Sequence, residues 1–232
     1  KNDFIAQGSI LAIASILVRV MGMIYRIPMT AIIGDKGNGF YSYAYSVYTI
    51  LLLLSSYSLP LAVSKMVSAK AQLGQWRNVK RVFICAIAFA IGIGTTFGLI
   101  VLIGAQFFTR VFFHSELAAI ALRFMAPTIL IMALLGVFRG FFQGLQNTLP
   151  TAVSQIVEGL INAIMSVVFA YFLFDFGHGM DAAGGTTDLG YAWGAAGGAI
   201  GTGAGALAGL IFCFILFVAY RKILAVNISR DK

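Results

Sequence analysis

The stretch Gly8-Ser-Ile-Leu-Ala-Ile-Ala-Ser-Ile-Leu-Val-Arg19-Val-Met-Gly-Met-Ile-Tyr-Arg26-Ile-Pro28 decides the fold class. It is apolar over the roughly 20 residues that a bilayer-crossing helix needs, yet it carries two arginines. Arg19 and Arg26 are seven residues apart, so at about 100° per residue they share one helix face. A guanidinium cannot shed its proton to escape lipid. Each one near mid-membrane costs about 2.5–3.5 kcal/mol even on insertion scales. A helix with two on one face turns that face away from lipid, and the face reads as the wall of a wet cavity suited to an anion.

Composition carries the same reading across the chain. Of 232 residues, 60% are hydrophobic and 10% charged, and the mean hydropathy is +0.93. That exceeds what a soluble core uses and indicates an all-α polytopic membrane protein. The net charge of +8 does not indicate nucleic acid, because the basic residues fall mostly in short links between apolar spans. Cys85 and Cys213 both lie within apolar spans and read as small buried packing residues. No signal-peptide pattern is present, and the start at Lys1-Asn2 without a methionine reads as that of an excised piece.

Six spans are expected, at 5–33, 39–69, 81–104, 117–140, 150–174 and 190–220. The links are the turn-rich 34–39, the basic 70–80, then 106–116, 141–149 and the Gly/Thr/Asp-rich 175–189. Lys1, Lys70, Arg77, Lys80, Arg81, Arg139, Arg221, Lys222, Arg230 and Lys232 fall on the side holding both termini. The other side holds only Lys36 and Arg110, and its last link carries Asp175, Asp181 and Asp188. The positive side stays in the cytoplasm, so both termini are expected inside, which demands an even number of spans.

Polar residues at membrane depth are the functional candidates. Arg19 falls near the middle of the first span and Arg26 about 10 Å further out at helical rise. Arg123 lies about 9 Å in from the outer end of the fourth. For Arg26 and Arg123 the alternative is snorkelling to the interface. Thr151, Gln155, Glu158, Asn162 and Ser166 step along one face of the fifth span. Glu158 admits three roles: ion relay, counter-ion of an arginine, or neutral structural hydrogen bond. Tyr41 and Tyr43 read as an outer aromatic belt, while Tyr45 and Tyr48 run deeper, where they can hydrogen-bond a sugar or phosphate. Glycines 197, 201, 205 and 209 form a stripe that admits a close helix neighbour. Gly92 and Gly94 lack the strand of a dinucleotide fingerprint, and His114 and His178 sit far apart in outer links. No catalytic, metal or cofactor constellation is read, and an enzyme is not expected.

Ser15-Ile-Leu-Val-Arg19-Val-Met-Gly22-Met-Ile-Tyr-Arg26-Ile-Pro28, Ile33-Gly34, Gly39-Phe-Tyr41 and Ser58-Leu-Pro60-Leu-Ala-Val-Ser64-Lys65 resemble the opening of bacterial polysaccharide-export proteins. The block from Val137-Phe-Arg139-Gly140 through Gln143-Gly144-Leu-Gln146-Asn147-Thr-Leu-Pro150-Thr151 to Glu158 resembles the stage V sporulation protein B branch, with its MurJ-type lipid II flippases. The resemblance implies the multidrug/oligosaccharidyl-lipid/polysaccharide exporter fold, two six-helix lobes across a central cavity. The chain, 1–232, would be the first lobe, with the second absent. Arg19 matches a cavity arginine of that pattern. Tyr25 stands where the Gram-negative pattern has its next arginine, and Leu51-Leu-Leu-Leu54 replaces a third.

The expected function is therefore a flippase lobe moving an undecaprenyl-diphosphate-linked saccharide, with lipid II the leading candidate. Arg19, Arg26, Arg123, Tyr45 and Tyr48 would contact the cargo, and Glu158, Gln155 and Asn162 would form a relay or counter-ion. The expected partners are the lipid-linked saccharide, membrane lipid and a second six-helix lobe. A multidrug exporter would need an acidic cavity, and an intramembrane polyprenyl-diphosphate enzyme would need converging acids or histidines.

Overall fold

A computed structural model describes residues 2–184 and 188–229, with side chains from residue 8 onward. Lys1, Arg230 and Lys232 of the charge argument lie outside the described residues. Among the described residues six helices follow in order: α1 (Asn2–Ser55), α2 (Leu59–Gln72), α3 (Trp76–Phe113), α4 (Ala118–Gly144), α5 (Leu149–Gly184) and α6 (Leu189–Ser229). Among the described residues, five helical stretches are long and apolar enough to cross a membrane, counting Gly8–Gln72 as one.

The expected link at 34–39 is not a loop. Helix α1 runs for 54 residues, about 80 Å at helical rise and far beyond a hydrocarbon core of about 30 Å. It is interrupted at Gly34, with φ 63° and ψ −177°, a conformation essentially restricted to glycine. The chain doubles back there, because Val18 and Tyr25 line the same cavity as Tyr41, Leu52 and Tyr57. The turn seats on α6, with Tyr191 at 3.6 Å from where a Gly34 Cβ would stand. Lys36 Nζ reaches Asp188 Oδ1 at 2.9 Å. A second break, at 56–58, separates α1 from α2, where Pro60 occupies the first turn.

Two glycine stripes set the helix packing. Gly197, Gly201, Gly205 and Gly209 of α6 press on α5. A Cβ on Gly197 would enter the Phe169–Ala170 backbone, and one on Gly201 the Ser166 backbone. The second stripe, on α4, was not anticipated. A Cβ on Gly140 would stand 2.5 Å from the Pro60 carbonyl oxygen, and one on Gly144 2.7 Å from Val67 Cβ. These contacts lock α2 onto α4 and fix how α4 is rotated about its own axis.

Several local expectations change. Helix α5 continues through the expected 175–189 link to Gly184. Asp181 is buried there, and its carboxylate accepts the backbone N–H groups of Leu189 at 3.1 Å and Gly190 at 2.9 Å. It thus satisfies the first donors of α6 instead of standing in solvent. Cys213 is buried as expected, whereas Cys85 is exposed. Arg139 belongs to α4 and is largely buried, so it is not a link charge.

Candidate functional site

A cavity of about 440 Å³ lies between the two halves of α1, with α5 and α6 behind it. The first half contributes Arg19, Gly22 and Tyr25, and the second Tyr41, Tyr45, Tyr48 and Thr49. Glu158 and Asn162 come from α5, Thr202 from α6 and Met132 from α4. Each set is a helix stripe. Arg19, Gly22 and Tyr25 step by three, and Tyr41, Tyr45, Tyr48 and Leu52 by four, three and four. The reversal at Gly34 turns the two stripes toward one another. Nothing stands within 4 Å of the position a Gly22 Cβ would take, which leaves space one turn from Arg19.

One wall is a tyrosine ladder. The Tyr41 and Tyr45 rings stack at 5.8 Å, and Tyr45 meets Tyr48 at 5.8 Å. Tyr41 and Tyr48 are buried, while Tyr45, also in the cavity lining, is 41% exposed. The Tyr41 hydroxyl lies 3.2 Å from Thr202 Oγ1. Tyr41 is therefore a cavity residue and not part of an interfacial belt. Tyr43 points elsewhere and stacks on Phe113 at 4.7 Å.

An ion pair ties Glu158 of this lining to α4. Arg139 donates through a terminal guanidinium nitrogen to Glu158 Oε2 at 2.7 Å and through Nε to Ser154 Oγ at 2.9 Å. Ser154 in turn donates to the Thr151 carbonyl at 2.8 Å. The side chains are 11% and 24% exposed, so the pair is largely withdrawn from solvent and held by charge-assisted bonds. Arg139 also borders an adjoining hollow of about 360 Å³ with Gln143, Thr151 and Gln155. Leu52, Tyr57 and Met132 line both spaces. Because Arg139 balances Glu158, the charge of Arg19 stands uncompensated by the carboxylate opposite it.

The candidates separate accordingly. Arg19, Tyr45, Tyr48, Glu158 and Asn162 line the cavity, and Gln155 lines the adjoining hollow. Ser15 Oγ lies 3.5 Å from Gln155 Oε1, and Ser166 donates to Asn162 Oδ1 at 2.8 Å. Arg26 shares the Arg19 face but sits two turns nearer Gly34. It is exposed and outside the lining, though within electrostatic reach of Tyr45. Arg123 is exposed and outside the lining. At 16 residues from Arg139 it projects about 160° away around α4. Tyr25, Tyr41, Thr202 and Arg139 were missed. The arginine's signal was available in its separation from Ser154 and Glu158, but only the rotation of α4 brings them together. Among the described residues, no three His, Cys, Asp or Glu side chains converge to hold a metal.

Comparison with known proteins identifies the family. Residues 4–230 match the family described as polysaccharide biosynthesis protein. Stage V sporulation protein B of Bacillus subtilis is 26% identical over 228 residues, covering 98% of this chain and 41% of that protein. Lipid II flippase MurJ of the same organism is 27% identical over 163 residues, covering 67% of this chain and 30% of that protein. The chain thus spans less than half the length of these relatives. No solved structure gives a significant match.

Proposed function

The chain belongs to the polysaccharide biosynthesis protein family, and on that footing we propose that it is the first lobe of a flippase for polyprenyl-diphosphate-linked saccharides, with lipid II as cargo. The observation that carries this reading is the position of Arg19, opposite the tyrosine ladder in a cavity whose carboxylate is already paired. A diphosphate entering the membrane loses its water, and a guanidinium fork replaces that water with charge-assisted hydrogen bonds. The exposed Tyr45 ring and the Thr49 and Tyr25 hydroxyls offer an amphipathic surface to the sugar. The protein is a transporter and not an enzyme. Counting the halves of the first apolar stretch separately, with the Gly34 reversal between them, gives six spans. A second lobe facing this one would complete the cavity and rock against it for alternating access.

Reconstituted intact protein should move a fluorescent polyprenyl-diphosphate saccharide between leaflets and leave lipophilic cations untouched. Cation transport without lipid movement would reverse the proposal in favour of a drug exporter. Orientation follows from the basic links, with both ends of the lobe in the cytoplasm. Single cysteines at the exposed positions Lys36, His114 and Ala183 should react with a membrane-impermeant thiol reagent outside cells, and those at Leu73 and Gln146 should not. External reaction at Leu73 would invert the topology.

A further inference from the structure

We propose that a groove between the start of α3 and the end of α6 binds an anionic phospholipid, separately from the transport cavity. The groove encloses about 360 Å³, and its lining includes Lys80, Ile84, Arg221, Leu224 and Ile228. On α6, Phe217, Arg221, Leu224 and Ile228 step by four, three and four, which lays them along one face. At its base the two helices meet through Phe83 and Phe217, whose rings stack at 4.5 Å. The wedge above that contact is an apolar trough with a cation on each wall, and among the described residues no acid is in its lining.

This chemistry selects its occupant. A neutral lipid has no use for two cations, and a free anion has no use for the apolar floor. A phosphate headgroup between Lys80 and Arg221, with an acyl chain lying along Ile84 and Ile228 over the buried Leu224, uses both. The depth fits as well. Trp76 and Tyr220 border the neighbouring hollow, and amphipathic rings of this kind settle at headgroup level. Basic pockets between helices on the cytoplasmic side attract anionic lipid, and the orientation proposed above places this groove there.

The test is lipid retention by the intact protein, extracted from mixed phosphatidylglycerol and phosphatidylcholine bilayers and read by native mass spectrometry. Wild-type protein should hold phosphatidylglycerol in several-fold preference, and millimolar inorganic phosphate should not displace it. The double variant Lys80→Gln with Arg221→Gln should lose the preference. Ala225 also lines the groove, and Ala225→Trp, which keeps both cations but fills the trough, should lose it too. Extracted from bilayers to which a cationic lipid is added, Lys80→Glu with Arg221→Glu should instead gain retention of that lipid, an outcome no misfolded protein gives. Equal retention of both lipids by wild type, undiminished preference in the glutamine variant, or displacement by phosphate would overturn the proposal.

Discussion

Replacing Arg139 by methionine should destabilise the intact protein by several kcal/mol, far more than replacing Arg139 and Glu158 together by apolar residues of similar size. The single change strands Glu158, which would lie largely buried without its 2.7 Å partner. Breaking one side of a buried pair costs roughly 3–5 kcal/mol, while removing both sides is often close to neutral. The lower end applies here, since the Glu158 side chain remains 24% exposed. Glu158→Gln should fall between, because Arg139 keeps its bond to Ser154 and an amide oxygen in place of a carboxylate. Melting curves of the purified variants decide the matter. An unchanged melting temperature in Glu158→Gln, accompanied by a flattened pH dependence of transport, would replace the counter-ion role with that of an ion relay.

Loss of Arg19 should abolish transport while leaving membrane insertion intact. Arg19 is exposed to the cavity and has no ion-pair partner among the described salt bridges, so Arg19→Ala removes the proposed cargo donor together with a burial cost. Arg19→Lys should also perform poorly, because an ammonium cannot present the bidentate fork that a phosphate oxygen pair accepts. Arg26→Ala, outside the lining, should retain more activity than Arg19→Ala. Complementation by the intact gene carrying each change, with membrane levels measured in parallel, gives the comparison. Full complementation by Arg19→Ala would end the reading of this cavity as an anion site.

Local periodicity determined much of what the chain displays. The apolar spans, the shared face of Arg19 and Arg26, the polar stripe from Thr151 to Ser166 and the glycine stripe of α6 all follow from helical spacing within one element. Such spacing is a property of consecutive residues and needs no neighbour to define it. The family resemblance was legible for the same reason, being carried by short contiguous motifs around Arg19 and from Val137 to Glu158.

What required tertiary structure was the choice among partners. Sequence spacing left Glu158 facing three possible roles and several arginines. The seating of Gly140 and Gly144 on α2 rotates α4 so that Arg139 meets Glu158, while Arg123 projects from another side. Likewise, 34–39 carried every mark of a loop, and only the packing of Gly34 and Gly37 against Tyr191 permits helix to resume after one residue. The acids of 175–189 looked solvated until α5 ran on and brought Asp181 to the open N–H groups of α6. In each case the deciding energy is a close approach between elements far apart in the chain. A helix period specifies which residues share a face, and only the neighbouring backbone specifies what that face meets.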